Sequence, residues 1–319
     1  MIRRIRRKLR NINEQLKSKA IVLMYHRVID LPHDPFNLAV SPDNFAQQMA
    51  YLKQHCQPMR LAELTECIQK NNLPRRAVVV TFDDGYFDNL TYAHPILEAA
   101  QIPWTLFVTD GFIDSNQVVW SDELAYLMLN TPRLPERGQL QLPDQVYAWT
   151  TLSHQERLVA CLDLQRFFLP LRTSDRDKYI ADLFNWAGIK RLPLPDYRMM
   201  TSLELAELAQ SKFLEIGGHT QTHPFLTTLS LDEQLTEIAA GREKLASKLD
   251  KPVKSFAYPF GDYSSQTVDL VKQAGFEAAV TVEPIKIKGE VDLYQLGRFQ
   301  INNWDVHEFS QRINNYLLW

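Results

Sequence analysis

The sequence of 319 residues lacks several features that would assign it to a broad class at once. No run of 18 apolar residues occurs, so a membrane-spanning helix is not expected. Its three cysteines, Cys56, Cys67 and Cys161, are odd in number and not spaced like metal ligands, which favours reduced thiols in a cytoplasmic protein. The net charge of −3 gives no reason to expect a nucleic-acid partner, and no internal repeat stands out.

One short region departs from this near-neutral average. Residues 1–19 contain eight Lys or Arg and one acid, Glu14, and their Ile and Leu residues recur at intervals of three and four. This pattern predicts a basic amphipathic N-terminal helix. Such a helix can lie on an anionic membrane surface, giving peripheral contact with the inner face of the membrane, or it can pack its apolar stripe on the protein body. Both interpretations remain open from the sequence.

The most informative run lies at residues 78–86, Val-Val-Val-Thr-Phe-Asp-Asp-Gly-Tyr. The β-branched and aromatic residues predict a buried strand, and two adjacent carboxylates, Asp83 and Asp84, follow at its carboxyl end. Because successive side chains of a strand point to opposite faces, the two carboxylates are expected to have different tasks, one as a metal ligand and one as a base. An ordinary solvated turn is the alternative interpretation of Asp-Asp-Gly.

A second cluster favours the metal. Residues 213–224 read Phe-Leu-Glu-Ile-Gly-Gly-His-Thr-Gln-Thr-His-Pro, and His219 and His223 stand four residues apart. On a helical turn this spacing places both imidazoles on one face. Two His and one Asp form a three-ligand site with open positions, which is typical of a catalytic metal centre. Zinc is the first expectation, and Co, Ni, Mn and Fe also suit these ligands.

Both clusters resemble the first two motifs of the polysaccharide deacetylases, carbohydrate esterase family 4. The matching runs are Thr-Phe-Asp-Asp-Gly at 81–85 and His-Thr-Gln-Thr-His at 219–223, with a weaker third motif in Ser-Phe-Ala-Tyr-Pro-Phe-Gly at 255–261. The resemblance covers roughly residues 20–110 and 195–305. It implies that Asp84, His219 and His223 hold the metal, and that Asp83 is the general base.

The third motif implies one wall of the substrate groove. Its residues Tyr258, Pro259 and Phe260 would contact the substrate, and the backbone N–H of Phe260 would stabilise the oxyanion together with the metal. In the family an Arg of this motif pairs with the base, but Ala257 stands at that position here. Arg298, after another strand-like run, could supply the missing guanidinium, although an Arg at a strand end is more often a surface residue.

A general acid must protonate the leaving amine, and His is the simplest group for this step. Residues 20–28, Ala-Ile-Val-Leu-Met-Tyr-His-Arg-Val, predict a strand ending at His26. This run resembles the circularly permuted branch of the family, in which the acid His comes from the first strand. His307, the only late His, does not match the context of the family's usual acid. The alternative is that His26 only caps a core strand.

Apolar runs alternate with helical patterns through the catalytic domain expected at 20–319. We therefore predict an α/β fold, a distorted parallel (β/α)7-8 barrel of the polysaccharide deacetylase type, with a helical insertion at about 113–195. Strands are expected near 20–25, 77–82, 104–109, 214–218, 254–258, 277–282 and 293–299. Trp120, Trp149 and Trp186 lie in or beside the insertion, where they could stack on sugars or form core.

The sequence thus predicts a metal-dependent hydrolase that removes N-acetyl groups from an amino sugar of a polysaccharide, glycan or glycolipid. A carbohydrate O-acetyl esterase would use the same site, but it would depend less on His26 because alcohols leave more easily than amines. A hydrolase of a non-sugar C–N bond is a second alternative. A non-catalytic glycan-binding module is a third, and the base expected beside the metal argues against it.

Overall fold

A computed structural model describes residues 19–115 and 118–318 of the chain. The predicted N-terminal helix therefore lies outside the described residues, apart from Lys19. Within the described ranges, no helix is both long and apolar enough to cross a membrane.

The strands are β1 (Ala20–Tyr25), β2 (Arg27–Val28), β3 (Ala39–Val40), β4 (Gln57–Pro58), β5 (Ala77–Phe82), β6 (Trp104–Val108), β7 (Arg137–Gln141), β8 (Val146–Thr150), β9 (Leu214–Gly218), β10 (Ser255–Ala257), β11 (Ala278–Val280) and β12 (Phe299–Gln300). The α-helices are α1 (Pro42–His55), α2 (Leu61–Gln69), α3 (His94–Ala100), α4 (Trp120–Ala125), α5 (His154–Phe168), α6 (Thr173–Ala187), α7 (Ser202–Leu208), α8 (Leu231–Leu249), α9 (Ser265–Gln273) and α10 (Val306–Leu318).

The main sheet is parallel and curls into a distorted barrel. Its strand order is β11-β10-β9-β6-β5-β1-β12, and β4 pairs with the start of β5. The segment at 293–300 contacts both edges: Leu296 bridges to Val280 of β11, and Phe299 of β12 pairs with Leu23 of β1. This arrangement confirms the predicted α/β barrel, although the expected strand at 293–299 is reduced to a bridge and the two-residue β12.

The strands alternate between two apolar layers. Ile21 and Leu23 of β1, with Val78 and Val80 of β5, pack against the surrounding helices, whereas Val22 and its neighbours fill the barrel interior. Each such side chain, when fully buried, stabilises the fold by about 1.5–3 kcal/mol. The same alternation continues beyond the strand ends, so that residues 81 and 83 follow the interior face of β5.

Several barrel helices begin at side-chain caps. The hydroxyl of Ser41 accepts from the Asn44 N–H at the start of α1, and Ser230 forms a capping box with Glu233 at the start of α8. At α7 the cap is Thr201, which forms a capping box with Glu204. The helix α10 was not predicted, although its buried Phe309 and Ile313 have helical spacing.

The segment at about 113–195 has a hydrophobic core of its own. The helices α5 and α6 pack with the antiparallel hairpin β7–β8, which was not predicted, around residues such as Leu164 and Trp149. Trp186 packs edge-on against Trp149 with ring centroids 5.1 Å apart, so both belong to this core. The proposed boundaries of the insertion remain a prediction.

Candidate active site

The candidate site lies at the carboxyl end of the barrel strands, where parallel α/β barrels carry their functional groups. The N–H of Asp83 still donates to the Tyr25 carbonyl at 3.1 Å and extends the β1–β5 ladder. The chain then reverses in a three-residue turn, closed by the Gly85 N–H donating to the Asp83 carbonyl at 3.0 Å. Asp84, at its centre, has a φ of 75°. Such a conformation costs about 1–3 kcal/mol.

Three candidate metal ligands converge at this end. The Oδ1 of Asp84 lies 3.5 Å from Nε2 of His219 and 3.4 Å from Nε2 of His223, and the two nitrogens are 3.2 Å apart. Atoms that share one tetrahedral ion at about 2.1 Å are about 3.4 Å apart, so the spacing fits a single divalent cation. All three residues are buried, and Asp84 Oδ1 has no hydrogen-bond partner in the described structure. A cation would satisfy this oxygen.

Groups behind the ligands orient them. Nδ1 of His219 lies 2.7 Å from the Ala257 carbonyl, so this nitrogen carries the proton and Nε2 presents its lone pair to the site. The N–H of His223 donates to the Thr220 hydroxyl at 3.0 Å. Position 257, where the family motif has an Arg, thus contributes a backbone carbonyl that orients the candidate ligand His219.

The two histidines are not on a helix, which corrects the sequence interpretation. They lie on a loop after β9 in which Thr220 and His223 have φ values of 63° and 55°. The carboxylate of Glu237 on α8 accepts from the Gln221 N–H at 3.0 Å, and from the Thr222 N–H and hydroxyl at 2.8 Å each. A distant acid therefore fixes the loop that the four-residue spacing alone had suggested to be helical.

Asp83 is held in a bidentate ion pair with Arg298. The Arg298 Nη1 and Nη2 donate to the two carboxylate oxygens at 2.6 and 2.7 Å, and its Nε donates to the Thr281 carbonyl. Burial alone would raise the pKa of Asp83, but Arg298, together with His219 and His26, holds that pKa well below its usual range. Arg298 thus lies where the sequence hypothesis put it, against Asp83, and is fully buried.

Burial raises the pKa of Asp84 well above its usual range, and the neighbouring Asp83 and Asp122 act in the same direction. The adjacent carboxylates thus have opposite environments: Asp83 is paired with Arg298, whereas Oδ1 of Asp84 has no hydrogen-bond partner in the described residues and lies beside two histidines. This difference matches the separate tasks expected from strand alternation. A cation beside Asp84 would favour its ionised form.

His26 follows β1 directly and lies beside Asp83. Its Nε2 is 4.0 Å from Asp83 Oδ2, and its side chain is 16% exposed, so it borders the open side of the site. The Asn89 side chain donates to the His26 carbonyl at 2.9 Å and fixes the backbone there. Burial lowers the pKa of His26 to about 4, although Asp83 acts in the opposite direction.

The third motif contributes differently from expectation. Tyr258 is fully buried, and its hydroxyl donates to the Tyr294 carbonyl at 3.0 Å, so its side chain belongs to the core and not to a substrate groove. Pro259 is also buried. Phe260 has a φ of 57°, and its ring packs edge-on against His223 with centroids 4.5 Å apart. Of Tyr258, Pro259 and Phe260, Phe260 is therefore the residue whose side chain packs against a candidate metal ligand.

Sequence reasoning missed a buried polar network beneath the site. Arg27 Nε donates to Asp88 at 2.9 Å, its Nη1 lies 3.9 Å from Asp122, and the Tyr86 hydroxyl donates to Asp122 at 2.8 Å. Burial raises the pKa of Asp122 to about 6, with Arg27 opposing the shift. The one available signal was Arg27 itself, because an Arg within an apolar strand region needs an acidic partner. Its partners lie 61 and 95 positions away in the sequence, as the residue numbers show.

Comparison with known proteins agrees with this geometry. A family model described as polysaccharide deacetylase matches residues 70–147 and 187–279. The poly-beta-1,6-N-acetyl-D-glucosamine N-deacetylase of Escherichia coli is 33% identical over 109 residues, which are 33% of this chain and 16% of that protein. The enzyme of the same name from Staphylococcus epidermidis is 21% identical over 305 residues, covering 90% of this chain and 80% of the relative. The chain thus matches only a small part of the first relative's length.

Two solved structures share the fold. The IcaB structure from Ammonifex degensii superposes with a TM-score of 0.62 at 21% identity, covering 95% of this chain and 98% of the other. The Streptococcus pyogenes deacetylase PplD, solved in complex with acetate, gives a TM-score of 0.61 at 20% identity, covering 93% of this chain and 99% of the other. At this identity the likeness extends to the fold alone.

Proposed function

The chain belongs to the polysaccharide deacetylase family, and from that premise we propose that it removes N-acetyl groups from an amino sugar of a glycan with the help of a bound divalent metal. The observation that carries the proposal is the convergence of ligands, base and acid at one end of the barrel. Asp84, His219 and His223 present three atoms to one point, while Asp83 and His26 lie beside them. The relatives named for N-acetylglucosamine deacetylation support the same reaction.

Asp84 Oδ1, His219 Nε2 and His223 Nε2 would hold the metal, and zinc fits this donor set. When bound, a divalent cation polarises the acyl oxygen and lowers the pKa of water. Two groups orient the ligands for the metal. The Ala257 carbonyl fixes the His219 tautomer, and Glu237 fixes the loop between the two histidines.

Asp83 is the group that takes a proton from the attacking water. Its carboxylate is ionised because Arg298 pairs with both oxygens, and the same pairing fixes its direction. In this scheme Arg298 holds the base and touches no reacting atom, so it acts as a positioning residue. This role replaces that of the Arg missing at position 257.

His26 supplies a proton to the leaving nitrogen. Because burial lowers its pKa to about 4, the imidazole is neutral in the resting site near neutral pH and must gain its proton during the reaction. Asp83, with Oδ2 at 4.0 Å from Nε2, is the neighbouring group that holds the proton removed from water. The proton removed by one residue can therefore reach the amine through the other.

The test is acetate release from β-1,6-linked oligomers of N-acetylglucosamine and from O-acetylated sugars of matched length. The variants are Asp83→Asn and His26→Ala, with His307→Ala as the control because His307 is exposed on α10. We expect the Asp83 variant to lose activity by at least about 100-fold, and the His26 variant by about 100- to 10,000-fold, on the N-acetyl substrate. The control variant should match the wild type.

The second substrate separates the deacetylase from an esterase. The esterase is favoured by the burial of His26, which lowers its pKa to about 4, because an alcohol leaves without the proton that an amine requires. Acetate released only from the O-acetylated sugar, with little effect of His26→Ala, would therefore replace the N-deacetylase by an O-acetyl esterase. Folded, metal-loaded protein that releases acetate from neither sugar would reject both and favour a C–N bond outside carbohydrates.

A further inference from the structure

A cavity of about 590 Å³ opens beside the metal ligands and extends to the helices at 113–195. His223, Thr222 and Phe112 line it on the barrel side, while Trp120 and Arg176 line it on the other side. Its volume is within the range of small-ligand sites and accommodates a sugar unit. The catalytic end of the barrel and the insertion thus share one space.

Arg176 of α6 is the unusual residue of this cavity. It is only 2% exposed, yet no carboxylate lies within 4.0 Å of it in the described ranges, and its Nε has no hydrogen-bond partner there. Its Nη2 donates to the Leu171 carbonyl at 2.8 Å, and its guanidinium lies 4.9 Å from the Trp120 ring centre. Burial lowers its pKa to about 10. Buried charges in proteins are normally paired, so a buried guanidinium without a counterion indicates a partner that is supplied from outside.

The carboxylates of the same cavity are already committed. Arg191 donates to both oxygens of Glu123 at 2.6 Å and to Asp177 at 2.8 Å. Both acids that line the cavity, Glu123 and Asp177, are therefore paired with Arg191, and neither pairs with Arg176. The positive charge of Arg191 is thus balanced by two carboxylates of the protein, whereas the positive charge of Arg176 is not balanced by any carboxylate in the described residues.

The position of Arg176 connects it to the reaction centre. Its guanidinium lies 6.0 Å from the Phe260 ring centre, and that ring packs at 4.5 Å against His223. The guanidinium and a candidate metal ligand thus both lie within about 6 Å of the same phenyl ring. A sugar whose acetamido group reaches the metal ligands would bring a substituent, or the next sugar unit, towards Arg176.

We propose that Arg176 binds a carboxylate of the substrate, so that the enzyme acts on an acidic glycan in which the N-acetylated sugar bears, or adjoins a sugar bearing, a carboxylate. This inference rests on the proposed deacetylase function, because it names the class of glycan accepted by the same site. One guanidinium with one nitrogen already bonded to the Leu171 carbonyl matches a singly charged group. A phosphate monoester carries more charge than this single cation compensates.

The test compares two substrates that differ only in charge. One is an octasaccharide of alternating glucuronate and N-acetylglucosamine, and the other is the same octasaccharide with its carboxylates reduced to alcohols. Wild type, Arg176→Gln and Arg176→Lys are assayed for acetate release, with Arg166→Gln, an exposed Arg of α5 outside the cavity, as the control. Metal content and thermal unfolding of each variant establish that the site remains intact.

We expect the wild type to prefer the acidic octasaccharide by about 10- to 100-fold in kcat/KM, mainly through KM. Arg176→Gln should abolish the preference while retaining activity on the reduced octasaccharide, and Arg176→Lys should restore part of it. Equal kcat/KM for both substrates in the wild type would overturn the proposal. Equal loss on both substrates in Arg176→Gln would also overturn it, because Arg176 would then act only by packing on Trp120.

Calorimetric binding of both octasaccharides to the wild type and Arg176→Gln separates this inference from the proposed function. Selective binding of the acidic form that needs Arg176, without acetate release from either sugar, would retain the role of Arg176 and reject the deacetylase. Acetate release from both sugars without any selectivity in binding would retain the deacetylase and reject the role of Arg176.

Discussion

Buried charge is the dominant feature of the site at the scale of single residues. Asp83 and Arg298 are both almost completely inaccessible, and their attraction must offset the cost of removing two ions from water. The bidentate geometry satisfies both carboxylate oxygens, and three further contacts of the guanidinium are to the Thr81 hydroxyl, the Thr281 carbonyl and the Phe107 ring. If either residue of such a pair is replaced by a neutral one, the other remains as a buried charge without a counterion.

Replacement of Arg298 by Met should therefore reduce both stability and rate. The loss leaves Asp83 unpaired, which costs about 3–5 kcal/mol in the free energy of unfolding, and activity should fall by at least about 100-fold. Urea unfolding and acetate release measure the two effects. Arg298→Lys retains the positive charge but loses the bidentate hydrogen bonds to Asp83, so its stability and activity should lie between those of Arg298→Met and the wild type. A variant that is as stable and active as the wild type would show that Asp83 does not need this pairing.

His26 should make stability depend on pH in a defined window. Its pKa in the folded state, about 4, is below the unfolded value of about 6.5, so the unfolded chain binds the extra proton first. The contribution is fully present above pH 6.5 and is lost as the pH falls towards 4. Its size is about 3.5 kcal/mol at most, because the two pKa values differ by about 2.5 units and one unit corresponds to about 1.4 kcal/mol.

Unfolding free energies of metal-free wild type, His26→Gln and His307→Gln between pH 4 and pH 7 measure this contribution. The wild type and the His307 variant should lose stability in parallel as the pH falls, and the His26 variant should lose less. Identical slopes for all three proteins would show that His26 has an ordinary pKa in the folded state.

At the scale of elements, the site follows from strand alternation. Because β5 places Val79 and Thr81 inside the barrel, Asp83 continues on the interior face, and β9 places Gly217 and His219 on it in the same way. Gly217 is needed because a Cβ there would lie 2.4 Å from the Phe107 ring. The period-2 pattern and the strand ends were therefore predictable from the sequence. The position of the Asp83–Asp84 and His219–His223 motifs at the same end of the barrel was predictable for the same reason.

The loop between the metal-ligating histidines was not predictable in the same way. A spacing of four residues fits a helical turn, but the helix α8 passes so close to the loop that a Cβ on Gly241 would lie 2.8 Å from the Thr220 backbone. Glu237, one turn earlier on α8, receives three hydrogen bonds from the loop. The loop conformation thus depends on a helix that follows it in the sequence, and no local pattern indicates that contact.

Replacement of Glu237 by Ala should weaken metal binding although Glu237 is not a ligand. Without its carboxylate the loop loses its anchor, and metal affinity should fall by about 10- to 100-fold. Competition with a chelating dye measures the affinity. Glu237→Gln should rescue part of it, because an amide oxygen still accepts hydrogen bonds, and Glu243→Ala, exposed on the same helix, should have no effect. Unchanged affinity in Glu237→Ala would contradict this account of the loop.

At the scale of the whole molecule, two apolar cores meet at one cavity. The barrel core holds the ligands, the base and the acid, and the core built from α5, α6 and the β7–β8 hairpin presents Arg176 to the same space. The sequence predicted the barrel because its alternating runs are local signals. It did not predict the hairpin, the Arg27 network or the unpaired Arg176, because these depend on contacts between segments that are distant in the chain.

The proposed deacetylase depends on one metal ion held by Asp84, His219 and His223. The most direct measurement is a titration of metal-free protein with zinc, following bound metal and acetate release from β-1,6-linked N-acetylglucosamine oligomers in the same samples. Activity should rise in proportion to bound metal and reach its plateau at one ion per chain, and Asp84→Ala should neither bind the ion tightly nor become active. Acetate release that is independent of added metal, or full activity in Asp84→Ala, would contradict the proposal.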